Sequence, residues 1–448
     1  MAQPLRIANC SGFYGDRLAA AQEMVDGGPI DVLTGDWLAE LTMLILAKNQ
    51  MRDPASGYAR TFVTQMEHVM GTCLDRGIKV VSNAGGLSPA GCAAAVQEVA
   101  DKLGLNPSIA YVEGDDLMPR LDDLRAAGVG FENFDTGEPL GEHQVITANA
   151  YIGGWGMAEA LAAGADIVIT GRSTDAALVV GPAAWRHGWA RDDWDRLAGA
   201  VVAGHVIECG AQATGGNYSF FQEVPGLEHP GFPIAEVAED GSSIITKHDS
   251  HGGLVSVGTV TAQLLYEIAG PEYLNPDVTA RFDTIALAEE APNRVRVTGV
   301  RGQPPPSTLK VSMNYLGGHR ATVTLMLTGL DIDEKAALAE RALWASTPGG
   351  RESFADTHVQ LIRSDQDDPA TNEVAVAQLR ITVKDPDERK VGRAFSSKVT
   401  ELALANYPGF FGGPGGTQSY GVYWPALVPR DLVWQEVVVG GNRAVVES

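Results

Sequence analysis

The sequence predicts an α/β fold: a layered, mostly parallel sheet with helices on both faces, then an antiparallel portion and a small α+β C-terminal domain. Three observations lead there. Apolar runs and helix-like segments alternate through roughly the first 200 residues, as βα units do. Each apolar run is followed by a polar, glycine-containing turn. Beyond about Gly204 the alternation gives way to shorter, turn-bounded runs. So long an alternation also fits a (β/α) barrel, which stands as the alternative. The acidic, polar stretch Ser364–Pro369 reads as a linker, giving a main domain over 1–363 and a C-terminal domain over 373–448.

The strand-like runs are Leu5–Asn9, Ile30–Leu33, Lys79–Ser82, Ser108–Val112, Gln144–Asn149 and Asp166–Thr170. Between them, helical spacing of apolar residues marks Arg17–Met24, Leu38–Lys48, Tyr58–Leu74 and Pro89–Leu103, the last with proline in its first turn. Gly153–Ala163 and Thr174–Arg186 follow. Later, Thr259–Ile268 reads as a helix. Arg294–Val300, Leu309–Tyr315 and Arg320–Leu327 read as antiparallel strands, with Gly317-Gly318 as a turn between the last two. Asp333–Leu343 has amphipathic spacing. Val374–Val383 reads as a strand and Lys390–Leu404 as a helix, before a Gly/Pro/aromatic tail around Phe410–Gly416.

In an open parallel sheet, ligands bind beyond the carboxyl ends of the strands. The turns there read Cys10-Ser11-Gly12, Gly35-Asp36-Trp37, Asn83-Ala84-Gly85-Gly86, Glu113-Gly114-Asp115-Asp116, Ala150 to Gly154, and Gly171-Arg172-Ser173-Thr174-Asp175. The last feeds a helix, so its N–H groups and Arg172 suit an anion. Ser173, Thr174 or Asp175 would equally serve as a helix cap. Gly85 and Gly86 let backbone approach a ligand closely, and Asn83 offers a donor and an acceptor. Asp36 and Glu40, four apart, are an acid/base pair, metal ligands, or charges favouring a helix N-terminus. His205 with Glu208 and Cys209, and His248 with Asp249 and His251, are clusters able to supply a base or metal ligands.

The net charge is −23, from 56 acidic and 33 basic residues. So acidic a chain repels nucleic acid and anionic lipid. The four cysteines match neither a zinc motif nor a disulfide framework. With no signal-like segment and no long apolar run, a soluble, cytoplasmic protein with reduced thiols is expected. There is no G-x-G-x-x-G, no Walker lysine and no G-x-S-x-G elbow.

Taken together, "SNAGGLSP", "YVEGDDL", "TANAYIGGWG", "GADIVITGRSTDAALVVGP", "GHVIECGAQATGGNYS" and "RVRVTGVRGQPPPSTLKVSMNYLGGHRA" resemble the acyclic terpene utilisation protein A (AtuA) family, in the family's order. They span about Leu5 to Ala345, and "SYGVYWPALVPR" extends the likeness into the tail. The resemblance implies catabolism of terpenoid acids as CoA thioesters. Its proposed reaction is a carbon–carbon lyase on a branched 3-hydroxyglutaryl-CoA-type ester, releasing acetate or acetyl-CoA. A hydratase or isomerase on a related ester, or a non-catalytic subunit, are the alternatives. The resemblance points to a location, the strand-end motifs Asn83–Gly86, Gly114–Asp116, Asn149–Gly154, Gly171–Asp175 and Glu208–Gly216, and carries over no catalytic residue. Asn83, Gly85, Gly86, Asn149, Gly153, Gly154, Arg172, Ser173, Thr174, Gly215 and Gly216 are the candidates for substrate, and His205, His248, Glu208 and Asp175, from their own chemistry, for catalysis. A lyase of this kind needs a base, for which His205 or His248 stands, and an oxyanion site near Gly85-Gly86 or Gly171. CoA then enters as part of the substrate. A divalent metal held by Glu208, Asp175 or Asp36 is left open. The expected partners are an acyl-CoA or carboxylate substrate, further copies of the chain and a small partner subunit.

Overall fold

The computed structural model describes residues 3–413 and 415–447, so Pro414 of the aromatic tail lies outside them. The fold is mixed α/β. Five parallel strands form its centre: β1 (Leu5–Asn9), β2 (Val32–Gly35), β3 (Lys79–Ser82), β4 (Ile109–Glu113) and β5 (Ile167–Thr170). They lie in the order β1-β2-β3-β5-β4. β2 and β5 are buried at every position, as strands covered on both faces must be. Helices α1 (Ala20–Asp26), α2 (Arg60–Arg76) and α3 (Pro89–Leu103) close one face over Met24, Phe62, Met66 and Val96. Helices α4 (Trp155–Ala162), α5 (Ala177–His187) and α6 (Trp194–Ile207) pack on the sheet as well.

Antiparallel strands extend this centre on both sides. β6 (Pro233–Val237), β7 (Ser243–Lys247), β8 (Ala286–Ala291) and β9 (Arg294–Thr298) add to the β1 edge in the order β8-β9-β7-β6. β10 (Trp434–Val439) and β11 (Asn442–Glu447) add beside β4. The eleven-stranded sheet is open, running from β8 to β11. The barrel alternative is therefore excluded, since a barrel needs its first and last strands paired.

The chain separates into two compact units, Met1–Asn314 with Tyr423–Ser448, and Tyr315–Val422. This differs from the boundary expected between 363 and 373, because β10 and β11 belong to the main sheet and not to a C-terminal domain. In the smaller unit, Asp356–Arg363, Ala377–Asp385 and His319–Leu327 pair antiparallel. Helices Ile332–Ser346 and Arg393–Glu401 supply Ala339, Leu343, Phe395 and Val399 to its core.

Two sequence expectations change. The strand near 144–149, seen at Val145–Ala150, is absent from the parallel sheet and pairs with the strand Thr308–Leu327. Thr308–Leu327 is itself one continuous strand, with no turn at Gly317-Gly318. A Cβ on Gly317 would stand 2.3 Å from the Tyr420 ring. The glycine there makes room for an aromatic side chain.

Candidate active site

A cleft of about 410 Å³ opens at the carboxyl ends of β1, β2 and β5. The turn after β1 gives it Gly12, Phe13 and Asp16; the turn after β2 gives Asp36 and Glu40. Arg172 and Asp175 come from the turn after β5, and Glu208, Cys209, Gln212, Gly216 and Asn217 from the segment that follows α6. Tyr266 and Glu267 complete the rim. Sheet topology thus brings together residues far apart in sequence, at the place where open parallel sheets bind ligands. Gly12 is required by close approach, since a Cβ there would meet the Cys209 carbonyl carbon at 2.7 Å.

Backbone N–H groups of the turn Gly171–Asp175 are taken up within the protein. The Arg172 N–H donates to Asp115 Oδ2 at 2.8 Å, and the Thr174 N–H to the Ile152 carbonyl at 3.0 Å. Asp115 sits directly beneath: a Cβ on Gly171 would meet its Oδ1 at 2.2 Å. Burial raises the Asp115 carboxyl to about 7, against hydrogen bonds from Arg172 and Asn149. What the turn offers the cleft is the Arg172 side chain. Its guanidinium is buried, pairs with Asp175 Oδ1 at 2.9 Å and lies 4.2 Å from the centre of the Tyr151 ring. Its Nε has no partner among the described residues, and neither do the buried hydroxyls of Ser173 and Thr174.

Around this one arginine stand carboxyl groups crowded enough to resist ionising together. Asp36 is pushed well up, first by burial, then by the charge of Asp175, with Arg172, Asn83 and the Leu38 N–H opposing. Glu208 is also raised well above the ordinary carboxyl range, by burial first and by Asp175 and Glu267 next. Glu267 is raised by burial, Glu40 and Asp175. Behind Glu208, His205 Nδ1 lies 3.1 Å from Oε1. The imidazole packs against Tyr273 and Phe282, with ring centres 5.2 and 5.5 Å away. Burial depresses His205, so both members of the pair favour their neutral forms. Glu208 Oε2 has no partner among the described residues. Both ring nitrogens of His205 are likewise buried without a hydrogen-bond partner among the described residues, so the 3.1 Å approach to Glu208 is a contact and not a hydrogen bond.

Of the residues expected from sequence, Gly12, Asp36, Glu40, Arg172, Asp175, Glu208, Cys209 and Gly216 line this cleft, and His205 lies behind it. Asn83 is committed elsewhere: its Nδ2 donates to Asp36 Oδ1 at 2.5 Å and its Oδ1 accepts the Trp37 N–H at 2.9 Å. Gly85 and Gly86 lie outside the cleft lining; a Cβ on either would strike backbone, at Thr170 O (2.5 Å) and Gly57 O (2.8 Å). Asn149 donates to Asp115 Oδ2 at 2.8 Å. Gly153 and Gly154 lie at the start of α4, where Asp277 Oδ2 accepts the Gly154 N–H at 2.9 Å. Gly215 turns the chain at φ +101° against Val224. His248 is outside the cleft lining too: its Nε2 meets the Met24 carbonyl at 2.9 Å beneath Gly27.

Glu267, Tyr266 and Asp16 were not singled out from sequence, because nothing in their local pattern marks them. Glu267 and Asn217 do carry a backbone signal, φ of +61° and +57°. Left-handed backbone at residues other than glycine is uncommon and concentrates at functional sites. For a metal, the carboxyls are poorly gathered. Among the described residues, no group of three or more His, Cys, Asp or Glu side chains is placed to hold an ion.

A family model described as acyclic terpene utilisation family protein AtuA matches residues 5–439. The chain belongs to this AtuA family. The match takes in every cleft-lining residue of this AtuA protein and nearly the whole chain. No curated protein and no solved structure matches it. Among the described residues no helix is long and apolar enough to cross a membrane.

Proposed function

We propose that the cleft carries out acid–base chemistry on a branched acyl-CoA of acyclic terpene utilisation. In its specific form the reaction is carbon–carbon cleavage of a 3-hydroxyglutaryl-CoA-type thioester. The observation that carries this reading is the placement of Glu208, buried and favouring its protonated form, opposite an Arg172–Asp175 ion pair in one cleft. Carboxyls in contrasting environments divide into acid and base. Asp175, ion-paired and reaching the cleft, takes the proton of the 3-hydroxyl. The bond between the hydroxyl-bearing carbon and the carbon next to the thioester then breaks. A ketone forms on one side, and the electron pair passes to the thioester as an enolate. Arg172 stabilises the enolate oxygen. Glu208 delivers its proton to the enolate carbon, giving acetyl-CoA, and the proton taken up by Asp175 returns to Glu208 through solvent in the cleft before the next turnover.

The surroundings suit a hydrocarbon-bearing substrate. Tyr266 and Glu267, on the cleft rim, stand between Leu265 and Ile268. Those two line an open groove of about 500 Å³ together with Leu264, Phe282, Ile285 and Leu287.

The test is turnover of branched 3-hydroxyacyl-CoA esters, with products identified by mass. The wild type should release acetyl-CoA or acetate. Glu208→Gln, which keeps shape and removes the proton, should lower kcat by roughly 10²–10⁴ with a small change in KM. Products differing from substrate only by water would reassign the cleft to a hydratase. Full turnover by Glu208→Gln would remove Glu208 from the chemistry.

A further inference from the structure

Beyond Arg172, the wall near the cleft is built from two paired segments. Val145–Ala150 pairs with Thr308–Leu327, the Tyr151 N–H donates to the Lys310 carbonyl at 2.9 Å, and Asn314 Nδ2 donates to Thr147 Oγ1 at 3.0 Å. Side chains two apart share a face of a strand. Thr147, Asn149 and Tyr151 therefore form one row, and Lys310, Ser312 and Asn314 the other. This face is buried yet polar. Ser312 and Asn314 have no exposed surface, and Ser312 Oγ, Asn314 Oδ1 and Asn149 Oδ1 have no hydrogen-bond partner among the described residues. Buried polar atoms are ordinarily satisfied, so a group of them without partners calls for a ligand or ordered water.

Lys310 decides between the two. It is half-buried, and among the described residues it has neither an ion pair nor a hydrogen bond from its ammonium. It rests on aromatic rings instead, its Nζ 4.9 Å from the centre of Tyr151 and 5.7 Å from that of Tyr423. Arg172 lies 4.2 Å from the centre of the same Tyr151 ring. Two cations thus share one tyrosine, in a chain of net charge −23 with carboxylates to spare. Cation–π contact alone is a weak substitute for an anion when a lysine is partly desolvated. Burial, then Tyr151 and Glu40, keep the Tyr423 phenol protonated and so a donor.

We infer that Lys310, Tyr423 and Ser312 form an anion subsite that receives a free carboxylate of the substrate, while Arg172 serves the reacting end. On the proposed reading that carboxylate is the free acid end of the 3-hydroxyglutaryl-type thioester. This rests on the acid–base reading of the cleft, and it adds the residues that select a second acidic group.

The test is calorimetric titration of the full chain with glutarate and with glutaramate, in which one carboxylate becomes a neutral amide. Wild type should bind glutarate about tenfold more tightly than glutaramate, about 1.4 kcal/mol. In Lys310→Met the preference should collapse towards one, and in Tyr423→Phe, which keeps the ring but loses the hydroxyl, it should shrink. Tyr423→Phe carries the test if Lys310→Met fails to fold. An unchanged preference in the variants, or no glutarate binding by wild type, overturns the subsite. Competitive displacement of glutarate by inorganic phosphate at similar concentration overturns the carboxylate assignment in favour of a CoA phosphate. Because Glu208→Gln turnover is a separate readout, failure of the subsite is distinguishable from failure of the proposed reaction.

Discussion

Asp36 and Asn83 show how a single buried carboxyl is held in place. Asp36 Oδ1 accepts from both Asn83 Nδ2 and the Leu38 N–H, at 2.5 and 2.8 Å. Those bonds favour the charged form, yet burial and Asp175 outweigh them and the carboxyl stays raised. Asp36→Asn should therefore be mild, since a neutral amide oxygen can accept the same two bonds. Asn83→Ala should be worse. It strands the Trp37 N–H and one Asp36 acceptor in a dry interior, which costs about 1–3 kcal/mol. Urea denaturation of both variants at neutral pH orders the two. Equal losses would mean that Asp36 is held as a carboxylate. From sequence, Asn83 was legible as an important strand-end residue. Its target was not, because Asp36 lies 47 positions away and only the β2–β3 pairing brings it near.

At the level of elements, the cleft depends on how closely α4 and α5 approach. A Cβ on Gly181 would stand 2.7 Å from Met157 Cβ and 2.8 Å from the Gly154 carbonyl oxygen. Gly181→Ala should push the helices apart and cost about 1–3 kcal/mol, as overpacking does. Because α5 follows directly on the Arg172–Asp175 turn, ligand binding in the cleft should weaken too. Gly270→Ala, where a Cβ meets nothing within 4 Å, is the control and should stay within about 0.5 kcal/mol. A Gly181→Ala melting curve matching wild type would mean the helices can separate at no cost. The parallel strands and amphipathic helices were readable because period and turn chemistry are local signals. Pro89–Leu103 was found to the residue. Helix α6 gave no such signal: Leu197 to Ile207 is buried throughout, so it has no polar face to mark its period. The strand Val145–Ala150 was readable as a strand, but its partner was not, since alternation says nothing about which segment completes the pair.

For the whole molecule, buried carboxyls set the response to pH. Asp36, Glu208 and Asp115 are all raised in the folded state, Asp115 to about 7. A raised carboxyl makes the native state bind more protons than the unfolded chain above the ordinary carboxyl range. Its stabilising contribution is complete below that range and is lost as pH rises through the folded value. His187, His205, His248 and His251 are depressed by burial and act in the opposite sense, but only below the ordinary histidine value of 6.5. The groups with lowered values, such as Asp387 at about 2, have completed their contribution by then. Between about pH 6.5 and about pH 8 the raised carboxyls dominate, and stability should fall by up to about 1.4 kcal/mol per pH unit for each uncompensated proton. Mutual repulsion within a net charge of −23 acts in the same direction, and added salt screens that surface part alone. Urea unfolding of wild type at about pH 6.5 and about pH 8, in high salt, isolates the buried groups. Asp115→Asn and Glu208→Gln should each flatten the decline, because an amide cannot ionise. A wild-type stability that holds level or rises over this interval would mean that the cleft carboxyls are already charged near pH 6.5, and Glu208 would then lack the proton its proposed role requires.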